Sequence, residues 1–558
     1  MPTLLQTWGL PAALLVVVNF STTWYNAVSK HVPEPYLDEF FHVPQAQLYC
    51  KGDYTWDPKI TTPPGLYLVA KLFSPLIGCD TSSLRALNVG ALCLICPLAY
   101  SILRFLRTGP NQRTNDSQAM KERTLANDPT ITLDANTAMN ISLFPPLFFF
   151  SALFYTDVIS TLVVLLSYSA LLRKTSAHGS TFDTFNAIIV GVVALFFRQT
   201  NIFWVAVFPA ALSVVNALKS STPSFSSARA ATIGDIVRTS WNEAIVYDCS
   251  VEEAGFQDYF ILLLSVSLAA LRKPFLVLRV AFPYLTLLGL FVGFVFWNGS
   301  VVLGDKSAHT ATIHTPQMLY IWPYIAFFSA PLLLGPVLQA VTKFLPKRLQ
   351  KRYGNTNFLS RIWTVSDVFT SSLFVIGAFS AVHFNTIIHP YTLADNRHYV
   401  FYVFRILRQH PAIRYLAVPI YYIGAWLALQ SLGATPNDEH ALRQERDNAR
   451  PTSAKSERSP CQISFIAIWL GTTALSVVTA PLVEPRYFIV PWIIWRLHVP
   501  SLPASLTSRG QFNTRAYDLR LAFETLWLLA IDAAVTYIFI YWGFAWPNEP
   551  DKVQRFLW

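Results

Sequence analysis

Asp38 and Glu39 stand side by side in the stretch YLDEFFHVPQAQLYC, with His42 one helical turn further on. Residues four apart share a helical face, and a carboxylate beside an imidazole is suited to taking a proton from a hydroxyl group. A zinc site of the metalloprotease kind needs a second His four residues from the first, and this run has only one. The simpler alternative is a carboxylate at the start of an interfacial helix, where acidic residues are favoured. Spacing leaves cap and base open, and it does not separate Asp38 from Glu39. Elsewhere, Arg198, Lys306, Arg397 and Arg486 are isolated cations at the ends of apolar segments, and His309, His314, His389 and His398 lie near them. Such groups bind phosphates, and Arg does so through paired N–H donors.

The elements that carry these residues are membrane spans. The chain has 558 residues, of which 53% are hydrophobic, 15% aromatic and only 13% charged, against about 25% charged in soluble domains. The net charge of +10 comes from Lys and Arg clustered in a few hydrophilic loops. That distribution follows the positive-inside bias and gives no folded basic face for a nucleic acid. Six cysteines in a chain of this length make no disulfide framework.

A crossing helix needs ~20 mostly apolar residues. The first candidate, Gly9 to Val28, has no basic n-region and no small-residue cleavage site, and reads as a retained span. The next, Leu84 to Leu103, runs into Arg104, Arg107, Arg113, Lys121 and Arg123, a cytosolic pattern that puts the preceding loop, 29–83, in the lumen. Continuing this alternation gives about thirteen spans. One stretch, 259–297, is ambiguous, and an interfacial helix followed by one span is preferred, because two spans would turn the basic Lys343–Arg352 loop to the lumen. The expected organisation is a single membrane domain over 1–558, with a luminal loop at 29–83 carrying interfacial helices. Cytosolic loops are expected at 104–139, 219–258 and 433–460, the last disordered. Asn140 to Tyr155 is expected to be one span, and the segment after Trp546 a short luminal tail.

On this topology the cytosolic loops are merely basic, while the luminal ones mix acids, His, Arg, Asn and Tyr. Headgroup anchoring accounts for any one of the four cations. Four on the luminal side, where few are expected, ask for an anionic partner such as a lipid phosphate or pyrophosphate. Cys50 and Cys79 both fall in the luminal loop, where a disulfide is permitted, although sequence leaves their proximity open. A transporter or channel-associated subunit is the competing class, but no internal repeat is found and the ionisable residues gather at one face.

Seven runs, YLDEFFHVPQAQLYC, WDPKITTPPGLY, FYTDV, FRQTNIFW, GDKSAH, HPYTLADNRHYVFYVFR and EPRYFIVP, span Tyr36 to Pro491. Together they closely resemble the endoplasmic-reticulum alpha-1,2-glucosyltransferase family, which adds the terminal glucose to the lipid-linked N-glycan precursor. The resemblance implies an all-α polytopic glycosyltransferase of the GT-C class in the endoplasmic-reticulum membrane, with its active site at the luminal boundary. The implied donor is dolichyl-phosphate-glucose and the implied acceptor a diglucosylated oligosaccharide on dolichyl pyrophosphate. A related enzyme using a mannosyl donor is the nearer alternative.

A beta-linked donor that becomes an alpha-1,2 linkage inverts in one displacement. That requires a carboxylate base for the acceptor 2-hydroxyl and cationic or hydrogen-bonding support for the departing phosphate. By resemblance Asp38 is the base, with Glu39 the fallback and His42 beside them. For the substrates the candidates are Arg397 and His398, then Arg486 and Arg198, with Lys306 and His389 further back. Trp56 and Asp57 could hold an acceptor sugar by stacking and hydrogen bonding. No cofactor and no divalent metal is called for, Asp38 and Glu39 being the place where an ion would sit.

Overall fold

The computed structural model describes residues 4–108, 130–173, 181–221, 232–251, 253–306, 312–333, 365–388, 390–433, 461–480, 482–501 and 518–558. The chain opens with α1 (Leu4–His31), the loop-borne helices α2 (Glu39–Lys51) and α3 (Gly65–Ile77), and the long α4 (Thr81–Thr108). Then come α5 (Thr130–Ser142), the six-residue α6 (Pro145–Phe150), α7 (Thr156–Arg173) and α8 (Thr181–Leu195). A π segment, Phe203–Val207, leads directly into α9 (Phe208–Ser220), and α10 (Ile233–Glu243), α11 (Phe256–Arg272) and α12 (Pro274–Asn298) follow. The next group is α13 (Gln317–Phe328), α14 (Val365–Asn385), α15 (Pro390–Ala394), α16 (Tyr399–Gln409), α17 (Pro411–Leu416) and α18 (Val418–Gln430). The last elements are α19 (Ile463–Val477), a 3-10 turn at Pro485–Phe488, α20 (Ile489–His498), α21 (Leu519–Tyr541) and an antiparallel hairpin, β1 (Phe544–Trp546) with β2 (Glu549–Gln554).

This is an all-α polytopic membrane protein. Against about thirteen expected crossings, seven helices among the described residues are long and apolar enough to span: Thr81–Arg107, Thr156–Arg173, Phe203–Ser220, Pro274–Asn298, Val368–Asn385, Pro411–Gln430 and Leu519–Tyr541. Their outward faces carry large apolar side chains such as Phe275, Phe296 and Trp297, which would be costly in water and belong against lipid. The 259–297 stretch is α11, which stops at Lys273, followed by α12, and only α12 is among the span-length helices. Most of the 104–139 and 433–460 loops lies outside the described residues, as do His389 and His309. The 219–258 loop carries α10, whose start is a capping box: Thr232 accepts from the Asp235 amide and Asp235 from the Thr232 amide.

The core differs from expectation at Asn140–Tyr155, which is no continuous span. Helix α5 ends at Ser142, and Pro145 with Pro146 starts α6, since proline suits a first helical turn and breaks an interior. The break buries Phe144, whose ring stacks on Trp492 with centroids 3.8 Å apart. Three buried tryptophans each satisfy their indole N–H: Trp469 on the Pro491 carbonyl, Trp492 on Ser329 Oγ and Trp495 on the Ala428 carbonyl. At the far end of α20, Arg496 pairs with Glu524 at 2.6 Å, and Asn140 also donates to Glu524, so the buried charges are fully partnered.

The 29–83 loop is organised by another buried ion pair. Arg85 of α4 donates to Glu39 through Nε at 2.9 Å and Nη2 at 2.6 Å, while Nη1 donates to the Val32 carbonyl and Nη2 also to the Glu34 carbonyl. Glu39 also accepts from the Tyr36 amide at 3.0 Å and the Phe154 amide at 2.6 Å. Four donors thus converge on one carboxylate that is wholly shielded from solvent. Helix α2 ends on Gly52, whose φ of 85° lets its amide cap the Leu48 and Tyr49 carbonyls. Helix α3 starts at Gly65, where the backbone of Phe196 comes so close that a Cβ would stand 2.5 Å from its carbonyl oxygen. A Cys50–Cys79 disulfide, with Cα atoms 6.6 Å apart, closes the loop between α2 and the start of α4.

After α21 the chain does not trail off as a short tail. The β1–β2 hairpin leads residues 555–558 back to the loop, where Leu557 exchanges backbone hydrogen bonds with the Arg397–Tyr399 segment.

Removing one partner of a buried ion pair costs roughly 3–5 kcal/mol, whereas an apolar replacement of both is far better tolerated. Glu39→Gln and Arg85→Met should each lower the thermal midpoint of the detergent-solubilised protein sharply, and the double variant should recover part of the loss. Single variants that melt like the parent would contradict the clamp. Non-reducing peptide mapping should recover the peptides of Cys50 and Cys79 as one linked species, and free thiols at both positions would contradict that bridge.

Candidate active site

Asp38 occupies the residue before α2, yet its carboxylate makes no capping hydrogen bond. The side chain is 42% exposed, and Oδ2 accepts from Arg486 Nη1 at 2.9 Å. Among the described residues Oδ1 accepts no hydrogen bond. The turn that presents it is unusual: Leu37 has a φ of 52°, and the Asp38 amide donates to the Tyr155 hydroxyl at 3.3 Å. Adjacent residues therefore have opposite environments. Glu39 faces inward with every lone pair engaged, and Asp38 faces outward with an oxygen to spare.

Arg486, in the 3-10 turn, is the hub of the site. Its guanidinium touches Asp38 at 2.9 Å, Glu484 at 2.7 Å and Asp157 at 3.7 Å, and lies over the Phe150 and Tyr155 rings at 5.5 Å. Arg198 binds Asp157 from the other side at 3.0 Å. Asp157 is buried at the first turn of α7, where a helix N-terminus favours negative charge. Asp38, Arg486, Asp157 and Arg198 thus form a chain of alternating charge contributed by four segments distant in sequence.

The electrostatics keep Asp38 ionised. Partial shielding from water would raise its carboxyl, but the Arg486 guanidinium against Oδ2 holds it below its usual value. Burial pushes His42 down to about 4 despite the opposing pull of Asp38. The His42 imidazole is therefore neutral near neutrality, and its Nδ1 shares a hydrogen bond with the Tyr67 hydroxyl at 2.6 Å. Burial also works against charge on Arg486, but Glu484, Asp38 and Asp157 hold its guanidinium charged.

The other candidates divide. His398 Nδ1 donates to the Trp558 carbonyl at 3.0 Å, and its Nε2 lies 3.7 Å from Asp395. Arg397 is occupied: Nε and Nη2 bind Asp395, Nη1 donates to Gln554 Oε1 at 3.1 Å, and the guanidinium lies 4.5 Å over the Trp546 ring. Lys306 is exposed and donates to the Asn298 carbonyl, in a loop that rests on the Pro58–Thr61 turn through the Asp305 and Leu303 amides. It has no contact with Asp38. Trp56 packs its ring edgewise on Tyr67 with centroids 5.9 Å apart, and its buried indole N–H has no partner among the described residues. Asp57 accepts from the Lys59 amide at 2.9 Å, as a turn residue does. His314 is buried with neither ring nitrogen partnered among the described residues, and burial pushes it down to about 4.

Three residues of the site were not singled out from sequence. Asp157 reads there as part of a tight polar turn, and Tyr67 and Glu484 as parts of longer runs. A carboxylate directly at the start of an apolar helix was the available signal for Asp157. Among the described residues no cluster of His, Cys, Asp and Glu has the makings of a metal site.

Comparison with known proteins agrees with this architecture. The DIE2/ALG10 family matches residues 32–497, which takes in α2, Asp157, Arg198 and Arg486. A protein of Aspergillus fumigatus named Dol-P-Glc:Glc(2)Man(9)GlcNAc(2)-PP-Dol alpha-1,2-glucosyltransferase is 39% identical, over 99% of this chain and 98% of its own length. Proteins of the same name from Mus musculus and Arabidopsis thaliana are 32% and 30% identical, over 99% and 95% of this chain and 99% and 96% of their own lengths. No solved structure matches the chain. Full-length similarity across fungal, animal and plant relatives, on a chain with one half-exposed, arginine-held carboxylate at its centre, leads to one conclusion: this protein is a member of the DIE2/ALG10 family.

Proposed function

We propose that the protein transfers glucose from dolichyl-phosphate-glucose to the diglucosylated oligosaccharide on dolichyl pyrophosphate, forming the terminal alpha-1,2 linkage with inversion. The observation that carries the chemistry is Asp38, ionised, held through one oxygen by Arg486 and open at the other. The names of the full-length relatives support the choice of donor and acceptor and give no support to a mannosyl donor or to transport.

In this reading Asp38 Oδ1 takes the proton of the acceptor 2-hydroxyl as its oxygen bonds to the anomeric carbon. The bond from that carbon to the phosphate oxygen breaks, and its electron pair leaves with dolichyl phosphate. Glu39 cannot act as the base, because its oxygens are taken by Arg85 and two backbone amides. The departing phosphate needs positive charge rather than a strong acid. Arg198 is the cation with donors left for it, since Asp157 engages one edge of its guanidinium. Arg397, already held by Asp395 and Gln554, is read as shaping the site rather than as the first phosphate contact. Neutral His42 and Tyr67 form a wall beside the base.

The site is assigned to the lumen of the endoplasmic reticulum. The Cys50–Cys79 bridge supports that side, since disulfides persist in oxidising compartments. The surrounding lipid is then the membrane of that organelle.

Asp38→Asn should reduce kcat by about 10²–10⁴-fold with an unchanged melting temperature, and near-normal turnover would remove Asp38 from the role of base. Arg198→Gln should raise the KM for the donor by about tenfold, equivalent to ~1.4 kcal/mol, and an unchanged donor KM would shift the phosphate elsewhere. The pH profile supplies a separate check. With His42 held near 4 and Asp38 below its usual 3.8, kcat/KM should stay level as pH falls through the ordinary histidine value of 6.5. A loss of rate centred near 6.5 would mark an imidazole base instead.

A further inference from the structure

We propose that residues 554–558 are a positioning clamp for the active site, locking the turn that presents Asp38 against the segment that carries Arg397 and His398. The inference rests on the glycosyl-transfer reading above and extends it to a part of the chain beyond the residues matched by the family.

The clamp is built from backbone and side-chain bonds in two directions. Toward the base, the Tyr36 hydroxyl accepts from the Arg555 amide at 2.7 Å and donates to the Arg555 carbonyl at 2.8 Å. Toward the cations, the Leu557 amide donates to the Arg397 carbonyl and the Tyr399 amide to the Leu557 carbonyl, both at 3.0 Å, as in a parallel bridge. The Trp558 carbonyl orients the His398 ring, and Gln554 takes a nitrogen of Arg397. The clamp is itself anchored, because the Arg555 guanidinium donates to the Phe539 and Ile540 carbonyls at the end of α21, while Leu557 is buried.

The position of Tyr36 is what links this clamp to the chemistry. Tyr36 is two residues before Asp38, and Leu37 between them has a left-handed φ of 52°, a conformation that persists only where its surroundings over-determine it. Glu39 holds the Tyr36 amide from within, and Arg555 holds the Tyr36 hydroxyl from without. With the outer hold released, Leu37 can relax and Asp38 moves relative to Arg486. A displacement of about 1 Å at a reacting group costs on the order of 10²-fold in rate. Tyr36 and Arg555 are accordingly positioning residues that touch no reacting atom.

The test uses the full chain, purified in detergent, with Tyr36→Phe, Arg555→Ala and Arg555→Lys. Tyr36→Phe and Arg555→Ala should lower kcat for glucose transfer by roughly 10–100-fold, with the donor KM within about threefold of the parent and melting temperature retained. Arg555→Lys should restore most of the rate. Unchanged kcat in both variants, or a loss that only follows the fraction of folded protein, would overturn the clamp. Amide hydrogen exchange over residues 36–42 provides a readout independent of activity: faster exchange in Tyr36→Phe and Arg555→Ala supports the clamp, and unchanged exchange overturns it. A parent protein that transfers no glucose from dolichyl-phosphate-glucose would refute the functional reading, and the exchange data would then decide the clamp alone.

Discussion

The buried pairing of Glu39 with Arg85 is the constraint on which the rest of the site depends. A carboxylate and a guanidinium placed out of water are stable only when nearly every lone pair and N–H is used. Here the Arg85 donors end on Glu39 and two carbonyls, and the Glu39 oxygens also collect the amides of Tyr36 and Phe154. The pair therefore joins α4, the start of α2 and the turn ahead of α7. With Glu39 drawn inward onto Arg85, Asp38 beside it is left half-exposed, its Oδ2 on Arg486.

A second consequence concerns charge. Arg486 and Arg198 are balanced by Asp38, Glu484 and Asp157, so the site without substrate has no unpaired excess of cations at its centre. In the proposed reaction an anionic donor has to compete with these carboxylates for the arginines. Such competition suits an enzyme that must release dolichyl phosphate after each turnover, because a cation cluster without internal partners would hold the product. Asp157 lies between the two arginines, 3.0 Å from Arg198 and 3.7 Å from Arg486.

Much of this was legible in the sequence, for identifiable reasons. Long apolar runs with flanking Lys and Arg gave the membrane class. Pro145-Pro146 was a readable helix break that a hydropathy count passed over, since the residues around it are as apolar as a span. The division between Asp38 and Glu39 was not readable, because neighbouring side chains differ only through tertiary partners, and Arg85 lies 46 residues away from Glu39. Asp157 was obscured by its location in a short turn, and the engagement of Arg397 by Gln554, 157 residues away, exists only in the folded chain, although Asp395 stands two residues before it. The docking of 555–558 had no periodic signature at all. It depends on individual hydrogen bonds between segments far apart in sequence, such as the pair joining Tyr36 and Arg555 at a separation of 519.

The central claim is that the two neighbouring carboxylates have separate duties, Asp38 toward the substrate and Glu39 toward the fold. It is tested most directly by a structure with a non-transferable dolichyl-phosphate-glucose analogue and the diglucosylated acceptor both bound. The account predicts the acceptor 2-hydroxyl within roughly 2.6–3.2 Å of an Asp38 oxygen, with Glu39 still on Arg85 and no contact to either sugar. An acceptor hydroxyl seated on Asp157, Glu484 or Glu39, with Asp38 turned away, would contradict it.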